Sequence, residues 1–250
     1  MGSLNTDIEK YIQKNFINVP LTHPTYIANR NLYRALKEIA PKYAKGKLID
    51  LGCGVKPYEK LFRPHIDEYF GVDLEATASS SYADLTRADL FTDICDTNLK
   101  DEAFDTLLST QVLEHIYDTK KYLSECYRLL TMGGGAIFTV PQTYECHAKP
   151  YDYYRFTEFS LRKLFEEKGF EIIELFPLEG AYATVQQLKI VSVILGRYKN
   201  KHEKMTFLEK VAYKVYTYSL IPIINLRAVF FDKSTDNVDL CLNYMLVARK

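Results

Sequence analysis

The chain predicts an α/β fold built on a doubly wound, largely parallel sheet, and three observations carry that prediction. Short apolar runs of strand length alternate with segments of helical period between Lys47 and Val140, the pattern of βαβ crossovers. The first of these runs, Lys47-Leu48-Ile49-Asp50-Leu51, leads into the glycine turn Gly52-Cys53-Gly54. Nineteen residues after Gly54, a second run, Tyr69-Phe70-Gly71-Val72-Asp73, ends on a carboxylate. Such sheets build a pocket for a nucleoside-bearing cofactor from this layout.

Composition sets the frame. With 250 residues and 47% hydrophobic content, the chain supports one substantial core with extensions better than two independent domains. The 32 basic and 32 acidic residues cancel, which leaves no electrostatic footprint for nucleic acid, and no such partner is expected. Cys53, Cys95, Cys126, Cys146 and Cys241 are odd in number and lack CxxC spacing, so neither a zinc site nor a disulfide framework is indicated. The N-terminal residues, Asp7, Glu9, Lys10 and Lys14 among them, lack the basic-then-apolar layout of a secretory signal. A cytoplasmic setting is expected.

The elements follow in order. Residues 1–46 read as an N-terminal helical cover, with Ile27, Leu32, Leu36 and Ile39 at helical spacing over Tyr26–Tyr43 and His23-Pro24-Thr25 marking its start. Then come a strand over Leu48–Leu51, a helix over Pro57–Phe62, a strand over Tyr69–Leu74 and a further stretch near Ala88–Ile94. They are followed by a strand over Phe104–Ser109, a helix over Asp118–Leu130 and a strand over Gly135–Val140. Asp118 suits a helix N-cap, and Gly133-Gly134-Gly135 suits a left-handed helix end. After Thr157, Leu161, Leu164 and Phe165 share one face of a helix that stops at Gly169, and a strand over Phe170–Phe176 follows.

The last strand is expected over Leu240–Ala248, so that 47–176 and 239–250 make the sheet core of a single domain, 1–250. The interval 177–238 far exceeds an ordinary connection of about 4–6 residues and reads as a helical insertion before the last strand. It carries apolar helical stretches at Val185–Leu195 and Phe207–Phe231, the latter interrupted by Pro222. The uncharged run Val215–Leu226 falls short of the ~20 residues a spanning helix needs. The expectation for 185–231 is packing on the sheet, a homo-oligomer contact, or peripheral contact with the inner membrane surface.

A dinucleotide fingerprint places a third glycine where Pro57 stands here, and the carboxylate of Asp50 is out of place beside a pyrophosphate but suited to an ammonium group. Asp50-Leu51-Gly52-Cys53-Gly54 resembles motif I of class I S-adenosylmethionine-dependent methyltransferases, specifically the small-molecule group called type 11. The resemblance runs through most of Lys47–Phe176. It implies a Rossmann-like fold with a seven-stranded mixed sheet, an antiparallel last strand and helices on both faces. S-adenosylmethionine is the implied cofactor, S-adenosylhomocysteine the product, and no metal is implied. On this resemblance Asp50 holds the methionine amino group, Gly52 and Gly54 let the backbone approach the cofactor, and Asp73 accepts from both ribose hydroxyls. Asp93 accepts from the adenine amine while Ile94 covers the ring, although a shifted register would exchange Asp93 for Asp89 or Asp96. Thr110-Gln111-Val112-Leu113-Glu114-His115 resembles the family's V-L-E-H segment, which puts Gln111 and Val112 at the methionine end and His115 at the transfer cleft.

An activated sulfonium donor asks the protein chiefly for positioning, but a hydroxyl acceptor must also lose a proton, a task for an imidazole. His147 is the first candidate base and His115 the second. His147 opens the pattern H-x-x-P-x-D-Y-Y-R-F-T, which, with Gly54-x-x-Pro57-Tyr58, resembles a subgroup found among polysaccharide and glycan-tailoring methyltransferases. That resemblance implies acceptor contacts from Asp152, Tyr153, Tyr154 and Arg155, by sugar stacking, hydroxyl acceptance and anion clamping. The plainer reading pairs Asp152 with Arg155 and packs the tyrosines in a loop. The expected reaction is O-methylation of a sugar or glycan-like hydroxyl. Alternatives are an amine, a lipid or quinone precursor or another small metabolite as acceptor, or a cofactor-binding partner protein without turnover.

Overall fold

In the computed structural model the described residues are 2–74, 86–197, 205–232 and 239–250; parts of the expected insertion, 198–204 and 233–238, lie outside them. Five strands run parallel: β1 (Lys47–Leu51), β2 (Glu68–Asp73), β3 (Leu90–Phe91), β4 (Phe104–Thr110) and β5 (Leu130–Pro141). Next to β5, β7 (Asn243–Arg249) runs antiparallel both to it and to β6 (Glu171–Pro177). The strand order is β3-β2-β1-β4-β5-β7-β6. The chain therefore winds outward from β1 in one direction and from β4 in the other. Beyond the carboxyl ends of these two strands lies the switch point where open α/β sheets take ligands.

Strand alternation feeds two cores. On one face Ile49, Leu51, Leu107 and Phe138 meet Tyr122, Cys126 and Leu129 of α4 (Thr119–Leu129) and Leu161 and Phe165 of α5 (Glu158–Glu166). On the other, Leu48, Leu108, Ile137 and Met245 meet Leu32, Leu36 and Ile39 of α2 (Tyr26–Tyr43) and Phe62 of α3 (Glu59–Phe62). Asp118 caps α4 through the N–H of Lys121 at 2.9 Å, and Thr157 forms a capping box with Ser160 at the start of α5. Ahead of α2 lies a helix with no specific signal in the sequence reading, α1 (Gly2–Ile12). Its Ile8 and Ile12 pack on Val55, directly after the glycine turn.

Two local expectations are corrected. The Gly133-Gly134-Gly135 run does not end α4: Leu130 turns extended at once and begins β5, which contains the glycines. Gly133, at φ +76°, donates to the Lys250 carbonyl at 3.0 Å, and Gly134 accepts from Lys250 at 3.0 Å, so the run bends a strand against the chain's last residue. Nor does Pro222 interrupt a helix. The backbone passes from α7 (Phe207–Val215) through a π turn at Tyr216–Leu220 into α8 (Ile221–Phe231), and Pro222 sits in the first turn of α8, where a missing N–H is tolerated.

The insertion packs on the N-terminal cover. Ala183 of α6 (Ala181–Arg197) and Ala228 of α8 share a cluster with Ile27 and Ala28 of α2 and with Leu242. Asn225, fully buried, donates to the carbonyls of Leu21 at 2.7 Å and His23 at 3.3 Å. Asp232 accepts from the N–H groups of Gly180 and Ala183 at the start of α6, at 2.9 and 3.2 Å. Phe207, Leu208 and Phe230 point outward, each more than 70% exposed. Among the described residues no helix is long and apolar enough to cross a membrane.

Candidate active site

At the carboxyl end of β1 the backbone makes the site. Gly52, at φ +77°, donates to the Val72 carbonyl at 2.8 Å, and a Cβ there would lie 2.5 Å from Val112 Cγ2. Gly54, at φ +49°, is open: a Cβ on it would meet nothing within 4 Å. Its N–H donates to Asp73 Oδ2 at 2.7 Å, while Asp73 Oδ1 accepts from Leu74 N–H at 2.8 Å. These two backbone N–H groups orient the buried carboxylate at the end of the second strand, and a carboxylate accepts two vicinal hydroxyl donors at once. Asp50 Oδ2 accepts from the Tyr69 hydroxyl at 2.5 Å, but its buried Oδ1 has no hydrogen-bond partner. Burial pushes the Asp50 carboxyl up to about 7. An orphaned carboxylate oxygen beside an open glycine backbone fits a ligand bearing an ammonium group, and S-adenosylmethionine has one.

Of the three acids in the adenine region, Asp89 is turned inward. It pairs with the buried Lys56 and accepts from Gly71 N–H at 2.7 Å. Lys56 passes through space that a Cβ on Gly71 would fill, so a glycine inside the second strand was the signal for this buried lysine. Asp93 is exposed; its Oδ1 accepts from Cys95 N–H at 2.8 Å, and its Oδ2 lies 3.9 Å from the Lys121 ammonium. Asp96 is also exposed, and Ile94 is buried in the core beside the first of the two sheet faces.

The segment after β4 begins on strain. Gln111 holds φ +56°, and both its N–H and its side-chain amide bind Thr139 of β5, at 2.9 and 3.2 Å. Val112 packs under Gly52, which joins this segment to the glycine turn. A short 3₁₀ turn, Leu113–His115, follows, and the Glu114 carbonyl accepts from the N–H groups of Tyr153 and Tyr154, at 2.9 and 3.3 Å. Two segments distant in sequence are thereby closed on each other.

His115 and His147 meet edge to face with ring centroids 4.9 Å apart. Nδ1 of His115 lies 2.7 Å from the Tyr151 carbonyl, and Nδ1 of His147 lies 3.1 Å from the Glu145 carbonyl. A carbonyl only accepts, so both Nδ1 atoms carry a proton, and in a neutral ring so bonded the lone pair is on Nε2. Burial holds the His115 pKa below the usual imidazole value, which favours the neutral ring.

Asp152 and Arg155 hold this loop. Arg155 grips the Asp152 carboxylate with two bonds, at 2.7 and 2.8 Å, and also donates to the carbonyls of Glu145 and Tyr154. Asp152 further accepts from His147 N–H at 2.9 Å, and Arg155 holds its carboxyl down to about 2. The two side chains are engaged with each other. Tyr153 is exposed and stacks edge-on with Tyr117 at 5.3 Å; the Tyr154 hydroxyl donates to the Tyr117 carbonyl at 3.0 Å. Tyr154 and Arg155 also line a groove of about 480 Å³ with Lys120 and Lys163.

The residue of this region to which sequence reasoning gave no role is Glu114. It is fully buried, neither carboxylate oxygen has a hydrogen-bond partner, and Oε1 lies 3.7 Å from His115 Nε2. Burial raises its carboxyl to about 8. The signal was a charged residue at an inward position, between the buried Leu113 and a histidine.

Comparison with known proteins bears on the fold. Residues 49–138 match the family model described as a methyltransferase domain. A protein of Mycolicibacterium smegmatis described as a probable S-adenosylmethionine-dependent methyltransferase is 26% identical over 144 residues. That alignment covers 54% of this chain and 56% of that protein, so it spans little more than half of the relative. Among solved structures, a SAM-dependent methyltransferase of Archaeoglobus fulgidus superposes with a TM-score of 0.55 at 16% identity, over 88% of this chain and 94% of that one. The [4+2]-cyclase SpnF gives 0.57 at 16%, over 89% and 82%. Haemonchus contortus phosphoethanolamine N-methyltransferase 2, solved with S-adenosylmethionine, gives 0.51 at 20%, over 89% and 52%. At such identities the superpositions establish the fold, which is the Rossmann-like class I methyltransferase fold. That one of these neighbours is a cyclase shows how far chemistry varies on it.

Proposed function

We propose that this chain is an S-adenosylmethionine-dependent methyltransferase acting on a hydroxyl acceptor of sugar or glycan-like character. One observation carries the reading: Val112, packed under Gly52, ties the glycine turn to the segment that brings His115 against His147. A cofactor cradle and a pair of basic nitrogens therefore open at the same end of the sheet. Asp50, Gly52, Gly54 and Asp73 would hold S-adenosylmethionine, with Gln111 and Val112 beside its methionine end and Asp93 with Ile94 toward its adenine. When bound, the cofactor supplies a methyl group on a sulfonium whose C–S bond breaks as the new bond forms.

The chain's own residues do the rest. Asp152 and Arg155 fix the loop so that His147 presents its Nε2, with His115 next to it, to an acceptor hydroxyl. The imidazole takes the hydroxyl proton as the oxygen becomes nucleophilic, and the exposed Tyr153 offers a face to a sugar ring. A screen of sugars, sugar nucleotides, amines and lipids with methyl-labelled cofactor tests the reading: label on a hydroxyl supports it, and label on nitrogen alone, or on nothing, overturns it.

The outward apolar face of α7 and α8 favours a second reading, in which the acceptor carries a lipid chain and the protein rests on a membrane surface. Flotation with anionic liposomes tests it. The intact chain should float and a Phe207→Ser, Leu208→Ser, Phe230→Ser variant should not; equal behaviour of the two rejects it, and dimer formation through this face would favour a homo-oligomer contact instead.

A further inference from the structure

We propose that Glu114, His115 and His147 form a binding site for one divalent transition-metal ion. One ligand atom from each lies within 4.8 Å of the others, with His115 Nε2 and Glu114 Oε1 already at 3.7 Å. Ligands about 2.0–2.2 Å from a common ion stand roughly 3–3.5 Å apart, so a contraction of at most about 1.3–1.8 Å completes the set.

Three features make this a built site and not a chance meeting of side chains. Glu114 is fully buried with both oxygens unpartnered, a condition that costs free energy unless a cation or donor arrives. The Arg155 guanidinium does not meet that need, because its bonds go to Asp152 and to backbone carbonyls. Both imidazoles donate through Nδ1 to a backbone carbonyl, and Asp152 stands 4.0 and 3.6 Å from those same nitrogens. Metal-binding histidines are oriented in this way, with the far nitrogen held by a carbonyl or carboxylate and Nε2 aimed at the ion.

The donor set selects the class of ion. Two imidazoles and one carboxylate suit Mn²⁺, Fe²⁺, Co²⁺ or Zn²⁺, whereas Ca²⁺ and Mg²⁺ prefer oxygen shells. Three protein ligands leave positions open, as in catalytic rather than structural sites. In the metal-loaded chain an acceptor hydroxyl bound at an open position would have its pKa lowered and release its proton to water, a route that replaces the proton transfer to imidazole described for the metal-free chain. This last step rests on the methyltransferase reading; the binding of the ion does not.

The test uses the full chain, stripped with chelator and titrated with Zn²⁺ by calorimetry and with Co²⁺ by visible absorption, without cofactor or acceptor. The expected result is one ion per chain, with affinity at least about tenfold weaker in Glu114→Gln and in His147→Ala. His65→Ala, outside the cluster, should bind as the wild type does. No binding by the folded wild type, or binding that survives either of the first two substitutions, overturns the proposal. Proton magnetic resonance of the Co²⁺-loaded wild type decides the matter if a variant fails to fold. Ligation through both Nε2 atoms predicts two strongly shifted, solvent-exchangeable imidazole N–H signals, and their absence refutes the site. A failed acceptor screen with intact metal binding would instead count against methyl transfer alone.

Discussion

The two ends of the proposed site, one assigned to the cofactor and one to the acceptor, are made of different material. At the cofactor end, Gly52, Gly54, Asp50 and Asp73 sit on the paired strands β1 and β2 or in the turn directly after β1, and backbone conformation does most of the shaping. At the acceptor end, Glu114 and His115 lie after β4 and His147 after β5. Contacts between loops bring them together, above all the bonds from Tyr153 and Tyr154 N–H to the Glu114 carbonyl, while the grip of Arg155 on Asp152 shapes the loop that carries His147. A site made by backbone is specified by a few glycines and short spacing. One assembled by loop contacts leaves room for chemistry to change while the fold is kept.

That contrast predicts separable failures. The largest effect is expected from His147→Ala: turnover should fall by about 10²–10⁴-fold, the usual contribution of a general base, while calorimetry finds cofactor affinity unchanged. A parallel loss of cofactor affinity would break the distinction between the two ends. Gly52→Ala should do the reverse. The left-handed backbone and the collision with Val112 cost about 1–3 kcal/mol, so cofactor affinity should weaken by roughly 5–150-fold, with a lowered melting temperature. Wild-type affinity in that variant would mean that the turn is not the cradle.

A smaller effect is expected from pH. The Asp50 carboxyl is raised to about 7 by burial, so its charged form, the one that receives an ammonium group, is lost as pH falls through that value. Cofactor dissociation constants should rise by up to about tenfold per unit below pH 7, and Asp50→Asn should flatten the dependence. The smallest effect lies outside both ends. Glu179, buried at the root of the insertion, accepts from Asn243 N–H at 3.1 Å, and burial raises its carboxyl to about 8. Its folded value exceeds its unfolded one, so the stability tied to its neutral form is lost as pH rises through about 8. Glu179→Gln should therefore gain on the wild type by a few degrees in melting temperature between pH 6 and 9. A constant difference would contradict this.

The same contrast decides what was legible in the sequence. The range of α2 was readable residue for residue, because Ile27, Leu32, Leu36 and Ile39 are spaced for one buried face, and the glycine turn was readable because positive φ restricts residue choice. The triple glycine misled because it serves both a helix end and a strand bend, and only the pairing with Lys250 separates the two. Glu114 was in view without a role, since its lack of partners is a property of packing. His147 and His115 were named separately; the bonds from Tyr153 and Tyr154 to the Glu114 carbonyl, which bring them together, leave no pattern in one dimension.

Methyl transfer by this chain requires that the glycine turn take a zwitterionic methionine and not a pyrophosphate. Calorimetry of the intact chain with S-adenosylmethionine, S-adenosylhomocysteine and NAD⁺ addresses that directly. One equivalent of each adenosyl ligand bound per chain, with no heat from NAD⁺, is the predicted result; silence toward both adenosyl ligands together with tight NAD⁺ binding would contradict it.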